Sequence, residues 1–188
     1  MFASSRVPDA GSGARKEGKV NQMSRIANRT APAVQAGEPG AIIRRQGDEL
    51  ELVNLHWGLR PSAENGRPFT TVRAEGRVFP LHRCLVPASE FHLEHKKDRW
   101  RFTLADGDHF YFAGIWRPAS RDWPESYAIL TTVANEEVLP FRERQMAVIR
   151  RVDRFAWLRH ETAEADILQP LPPHSFRAEA EGAPRTLL

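Results

Sequence analysis

The stretch "RWRFTLADGDHFYFAGIW", residues 99–116, carries two strand patterns on either side of Asp106–Gly107. Asp-Gly supplies the left-handed backbone that a tight turn needs, so the expectation here is a β-hairpin. Working outward, "SYAILTTVA" (126–134) is a β-branched strand that stops before Asn135. Asn135–Leu139 reads as a turn or short helix leading into "PFRERQMAVIR" (140–150). There Met146, Ala147, Val148 and Ile149 look like a buried strand, yet Arg142, Arg144 and Arg150 surround it. Buried strands rarely recruit arginines, so what these three face becomes a question for the fold.

Toward the N-terminus, "AIIRR" (41–45), "QGDE" (46–49) and "LELVNLHWGL" (50–59) read as strand, turn, strand. "NGRPF" (65–69) is a turn, "TTVRA" (70–74) a short strand, and "HRCLVPAS" (82–89) an apolar strand that Pro87 ends. After residue 150 a helix is expected around Asp153–Leu158, then a second short one. The tail from Pro170 is loop or terminal strand. Many short strands and few helices predict an α+β, mainly-β domain over residues 40–180, built on one curved or barrel-like sheet. Residues 1–39, rich in Gly, Ser and charge, bury too little to offset their ordering entropy and read as a flexible basic arm. Residues 181–188 are a C-terminal tail.

The 188 residues suffice for one domain with a real core. A formal net charge of +3 permits nucleic-acid binding without establishing it. The single cysteine, Cys84, excludes an internal disulfide framework and disfavours a cysteine-based zinc site. No window is apolar enough to span a membrane and no signal-peptide core is visible, so a reducing, cytoplasmic setting is expected. No cofactor is expected, there being no glycine-rich phosphate loop. His92–His95 ("HLEH") lacks the spacing of a zinc helix, and no metal is expected. Ser62 and Ser89 have no nucleophile-elbow context. His160, Glu161 and Glu164 read as a solvated helix surface.

Six strings in order carry a resemblance: "LVNLHWGLRP" (52–61), "TTVRAEGR" (70–77), "RCLVPASEF" (83–91), "FYFAGIWRP" (110–118), "ILTTVANEEVLPF" (129–141) and "FAWLRHE" (155–161) before "LQPLPP". Together they resemble the SRAP family, the SOS response-associated peptidase or abasic-site processing proteins, over roughly residues 38–180. The resemblance implies a particular chemistry. A cysteine directly after the initiator Met joins an abasic site in single-stranded DNA as a thiazolidine. An Asn two residues before an Arg positions that cysteine, while a Glu and a His handle protons. The same groups are proposed to remove residues ahead of the cysteine.

Set against that pattern, the positions here differ. Phe2 follows Met1, and Ser24 follows Met23, a second possible start. Cys84 lies mid-chain and has no free α-amine. The Asn position falls on Thr71, the Glu position on Leu93 and the His position on Arg142, so no catalytic set is expected intact. Glu94 is one residue from Leu93, and one step along a strand points to the opposite face unless a bulge intervenes. Histidine passes protons near neutral pH, whereas arginine holds an anion with a fixed charge.

The resemblance therefore implies Arg73, Arg142 and Arg144 as DNA contacts, with Arg117 at a strand end and Trp57 as a stacking surface. The competing readings are an internal ion pair of Arg73 with Glu75, a solvated edge in which Glu143 alternates with or pairs to the arginines, and Trp57 and Trp116 in the core. Three functions stay open. The first is a module that binds single-stranded or abasic DNA and has lost crosslinking and autoproteolysis. The second is an active lyase or peptidase using a different amine. The third is a protein–protein adaptor with the arm of residues 1–39 as its docking segment.

Overall fold

The computed structural model describes residues 34–181; residues 1–33 of the expected arm and 182–188 of the expected tail lie outside the described residues. Eleven strands and two short helices follow in order: β1 (Pro39–Gln46), β2 (Glu49–Trp57), β3 (Thr71–Arg73), β4 (Arg83–Ala88), β5 (Glu90–His95), β6 (Asp98–Leu104), β7 (Phe110–Arg117), β8 (Ser126–Val133), β9 (Arg144–Met146), β10 (Val148–Arg150), α1 (Arg154–Leu158), α2 (Glu164–Ile167) and β11 (Phe176–Ala180). The expected mainly-β, barrel-like architecture is present. The large sheet runs β10-β7-β4-β1-β2-β8-β3, with β9 also on β8. An antiparallel pairing of β7 with β8 closes β7, β4, β1, β2 and β8 into a ring. A three-stranded sheet, β11-β6-β5, lies against it. No helix among the described residues is long and apolar enough to cross a membrane.

Both faces of the large sheet are covered, which is why its strands read as continuous apolar runs rather than as alternation. The registers put Ile42, Cys84, Phe112, Ile129 and Val148 on one face, and Ile43, Leu85, Ala113, Leu130 and Ile149 on the other. All ten are buried. The first face meets Phe91, Phe102 and Phe176 of the small sheet. The second is covered by Trp157 and Leu158 of α1 and by Leu168. Each such large side chain contributes about 1.5–3 kcal/mol by leaving water. At Gly114 the strands come so close that a Cβ would sit 2.8 Å from Cys84 Sγ and 3.0 Å from the Ala128 carbonyl. Burial pushes the Cys84 thiol well above its ordinary pKa, so it serves as a packing group.

Two expectations are corrected. Asp106–Gly107 does form a turn, with Gly107 at φ 76° and its N–H donating to Leu104 O at 3.0 Å. It does not join a hairpin, because β6 pairs with β5 and β11 whereas β7 pairs with β4, β8 and β10. The turn carries the chain from one sheet to the other. Phe110 and Phe112 then meet Phe91 edge-on, with ring centroids 6.4 and 6.1 Å apart. Pro87 does not end β4 either. It is in register with Tyr111, and the strand stops one residue later. β1 pairs with β4 only at Cys84 and Leu85, so at Pro87 that side of the strand is an edge and needs no donor.

Candidate functional site

Period-2 geometry gathers the candidates on one surface. Thr71 is in register with Ile129, Arg73 with Thr131, Thr131 with Met146, and Val133 with Arg144. Thr71, Arg73, Thr131, Arg144 and Met146 therefore share the face that carries Ile129. β5 rises beside that face as a wall. Between them lies a cleft of about 750 Å³ whose lining includes Trp57, Thr71, Arg73, Leu93, Arg142 and Arg144. Of the five expected DNA contacts, only Arg117 does not line it. That side chain is exposed at the end of β7, in register with Ser126 and on the opposite face from Arg73.

The three arginines of residues 140–150 face three different things. The run 144–150 pairs first with β8, then crosses to β7. Ala147 N–H donates to Leu130 O, and Ala113 N–H donates to Ala147 O, both at 2.8 Å. Its two ends are thus held apart. Arg150 reaches the Asp106 carboxylate on the inter-sheet turn. Arg144 forms a two-pronged pair with Glu75, at 3.1 Å from Nη1 and 2.7 Å from Nη2. It also donates to Thr131 O at 2.7 Å. Glu75 in turn accepts the Val133 N–H at 2.9 Å. Hydrogen bonding from Arg144 outweighs burial and holds the Glu75 carboxyl below its usual range.

Arg142 is exposed in the cleft, and so is Arg73. Neither guanidinium has a hydrogen-bond or ion-pair partner among the described residues. Glu75 belongs to Arg144 rather than to Arg73. Glu143 also lines the cleft. The charge there is thus three guanidinium groups against the Glu75 and Glu143 carboxylates, with the two unpaired cations pointing at open space.

The turn expected at Asn135–Leu139 is present and leads to Arg142, held by contacts that the sequence did not announce. Gln145, on the reverse face of β9, accepts the Asn135 N–H at 2.9 Å through Oε1. Asn135 accepts the Val138 N–H at 3.2 Å and donates to Glu137 at 2.7 Å. Glu137 takes the His174 N–H at 2.7 Å. Phe141 then inserts among His95, Trp100 and Phe102, with centroids 5.0–5.4 Å away. Polar residues after a strand, followed by one aromatic, were the available signal. Partners 37 residues apart were not readable from it.

On the opposite wall, β5 pairs with β6 in unbroken register from Glu90–Thr103 to His95–Asp98. No bulge intervenes, so Leu93 turns toward the cleft while Glu94 is exposed on the other face, in register with Arg99. Hydrocarbon occupies that position. Trp57 is half-buried, donates from Nε1 to Thr70 O at 2.9 Å, and stacks on Tyr127 at 6.3 Å. It is fixed in place but keeps an edge in the cleft. Trp116 is packed beneath Arg44, 4.2 Å from the ring, and Arg44 is held by Glu51 and Glu125. Glu164, expected on a solvated surface, is instead the partner of buried Arg83. Among the described residues no three His, Cys, Asp or Glu side chains are grouped to hold a metal.

Comparisons with known proteins agree with the topology. The sequence pattern of the family described as SOS response associated peptidase (SRAP) matches residues 12–181. A solved protein from Bacteroides thetaiotaomicron superposes with a TM-score of 0.61 at 18% identity, covering 85% of this chain and 87% of that one. One from Bordetella bronchiseptica gives 0.60 at 24%, covering 85% and 94%. A phage-related protein from the same organism gives 0.61 at 19%, covering 81% and 84%. At these identities the likeness is one of fold. No curated protein matches the sequence significantly.

Proposed function

This chain belongs to the SOS response associated peptidase (SRAP) family, and we propose that its cleft binds single-stranded or abasic DNA through phosphate contacts, without thiazolidine crosslinking or autoproteolysis. One observation carries the reading: Arg73 and Arg142, both exposed and unpaired among the described residues, line the same cleft as Trp57. Two fixed cations beside an aromatic edge suit a strand whose phosphates are held and whose base is stacked. The chemistry is read as lost from interior positions. Where the resemblance places a proton-transferring Glu and His, the cleft has the hydrocarbon of Leu93 and the permanent charge of Arg142. Where it places an orienting Asn, it has Thr71. A guanidinium retains its proton at any physiological pH and so cannot relay one.

Abasic single-stranded DNA, run on native and denaturing gels in parallel, tests both halves. On an oligomer short enough to reach only the cleft, the native gel should show a complex that weakens with salt, with a slope of log K against log salt of about −1.4 for two phosphate contacts. The denaturing gel should show no adduct, with or without borohydride. An adduct would restore the catalytic reading; no native complex at low salt would remove the binding one.

Glu75 makes a second prediction. Its pair with Arg144 withholds one guanidinium from any ligand. Glu75→Gln should free Arg144, steepen the salt slope to about −2.1, and tighten low-salt binding roughly three- to tenfold. An unchanged slope would place Arg144 out of reach of the DNA backbone.

A further inference from the structure

The hairpin between β5 and β6 has a two-residue turn, Lys96–Lys97, with His95 in register with Asp98. Lys96 sits at φ 58°, in the left-handed region that a residue with a Cβ avoids. Gly, Asn and Asp fill such turns for that reason. A lysine pair is not the choice that stability alone would make, and backbone strain of this kind tends to persist where the residue has a use. Both lysines are exposed, and neither has a partner among the described residues.

The turn is tied to the mouth of the cleft. Phe141 holds His95 and Trp100 at 5.4 and 5.0 Å, and the next residue is Arg142. β5 itself supplies Leu93 to the cleft wall. Lys96 lies three residues further on, about 10 Å at the rise of a strand. Arg73 and Arg142 line the cleft, and the unpaired Lys96 and Lys97 stand in the exposed turn at the end of the strand that forms its wall. The carboxylates beside the turn are Asp98 and Glu94, and Glu94 is on the face of β5 away from Leu93.

We propose that the Lys96–Lys97 turn is a second phosphate-binding element, which grips a single strand where it leaves the cleft. This rests on the cleft being a DNA site, and it adds that the site extends beyond the volume the cleft itself can fill. The partner is a continuous polyanionic strand; a single phosphate or a short oligomer would not reach both elements.

The test uses the full chain and labelled oligothymidylates of 6 and 20 nucleotides, followed by fluorescence anisotropy at low salt. The variant is Lys96→Gly with Lys97→Ser, which removes both charges and relieves the left-handed backbone. Its melting temperature should equal or exceed that of wild type. It should bind the 20-mer about five- to tenfold more weakly, with a salt slope shallower by about 1.4. Binding of the 6-mer should stay within twofold. Equal losses on both lengths, or no loss on either while wild type binds, would overturn the proposal. Failure of wild type to bind either oligomer would overturn the cleft reading, and this proposal with it.

Discussion

A chain carrying Arg73→Glu and Arg142→Glu together should bind single-stranded DNA at least about a hundredfold more weakly than wild type at low salt. The magnitude follows from the contacts. A hydrogen bond to a charged group contributes about 1.5–3 kcal/mol, so one guanidinium–phosphate contact is worth about tenfold or more. Two such contacts multiply, and the introduced carboxylates add repulsion. Stability should hardly change, because both side chains are exposed and support nothing else among the described residues. The contrasting variant is Glu75→Gln with Arg144→Gln. It removes a neutralised pair as a unit, and its affinity should stay within about threefold of wild type. Anisotropy titrations of both variants, with melting curves to verify folding, decide the matter. If the Glu75–Arg144 double variant loses more than the Arg73–Arg142 one, the assignment of free and sequestered cations is reversed.

That contrast was half legible in the sequence. Alternation along "FRER" set Glu143 apart from the arginines on either side of it, and the resemblance named Arg73 and Arg144 together as DNA contacts. The owner of Glu75 was not legible. From the sequence, Arg73 two residues away is the natural partner, but the carboxylate reaches Arg144, 69 residues distant. A parallel pairing of β3 with β8 and an antiparallel pairing of β9 with β8 bring them together, and neither register leaves a local trace. The same gap explains the misread hairpin. Asp106–Gly107 correctly announced a turn, but a turn says nothing about which strand comes to lie alongside. That was settled by the packing between the two sheets, where Phe91 stacks on Phe102 and meets Phe110 and Phe112 edge-on. The displacement of Glu94 from the cleft was the opposite case. Period-2 alternation alone forced it once the register proved continuous.

The largest stability effect should come from Glu164, which does not line the cleft. Arg83 is buried behind α1, its side chain 4% exposed, and every prong is used. Nε donates to Phe79 O at 2.8 Å, Nη1 to Trp157 O at 3.2 Å, and Nη2 to the Glu164 carboxylate. Glu164 also accepts the Phe79 N–H at 2.8 Å. One ion pair thus fastens the loop before β4 to both helices. Glu164→Ala leaves a buried guanidinium without a counter-charge and an amide without an acceptor, which costs about 3–5 kcal/mol. For a chain of this size the melting temperature should fall by roughly 10 °C. Acid should reproduce part of the loss. Burial pushes the Glu164 carboxyl up, but the Phe79 N–H and Arg83 outweigh it, and the group ends below the usual carboxylate range. A carboxyl depressed in the folded state stabilises fully above its unfolded pKa, and that contribution drains away as pH falls through the folded one. Wild-type melting temperature should therefore drop below about pH 4.5 with a component that Glu164→Gln lacks. Parallel acid dependence in wild type and Glu164→Gln would mean that the pair does not govern how the helices are held. Replacing both partners, Arg83→Met with Glu164→Leu, should recover much of what Glu164→Ala loses, because an uncompensated buried charge costs more than a missing pair.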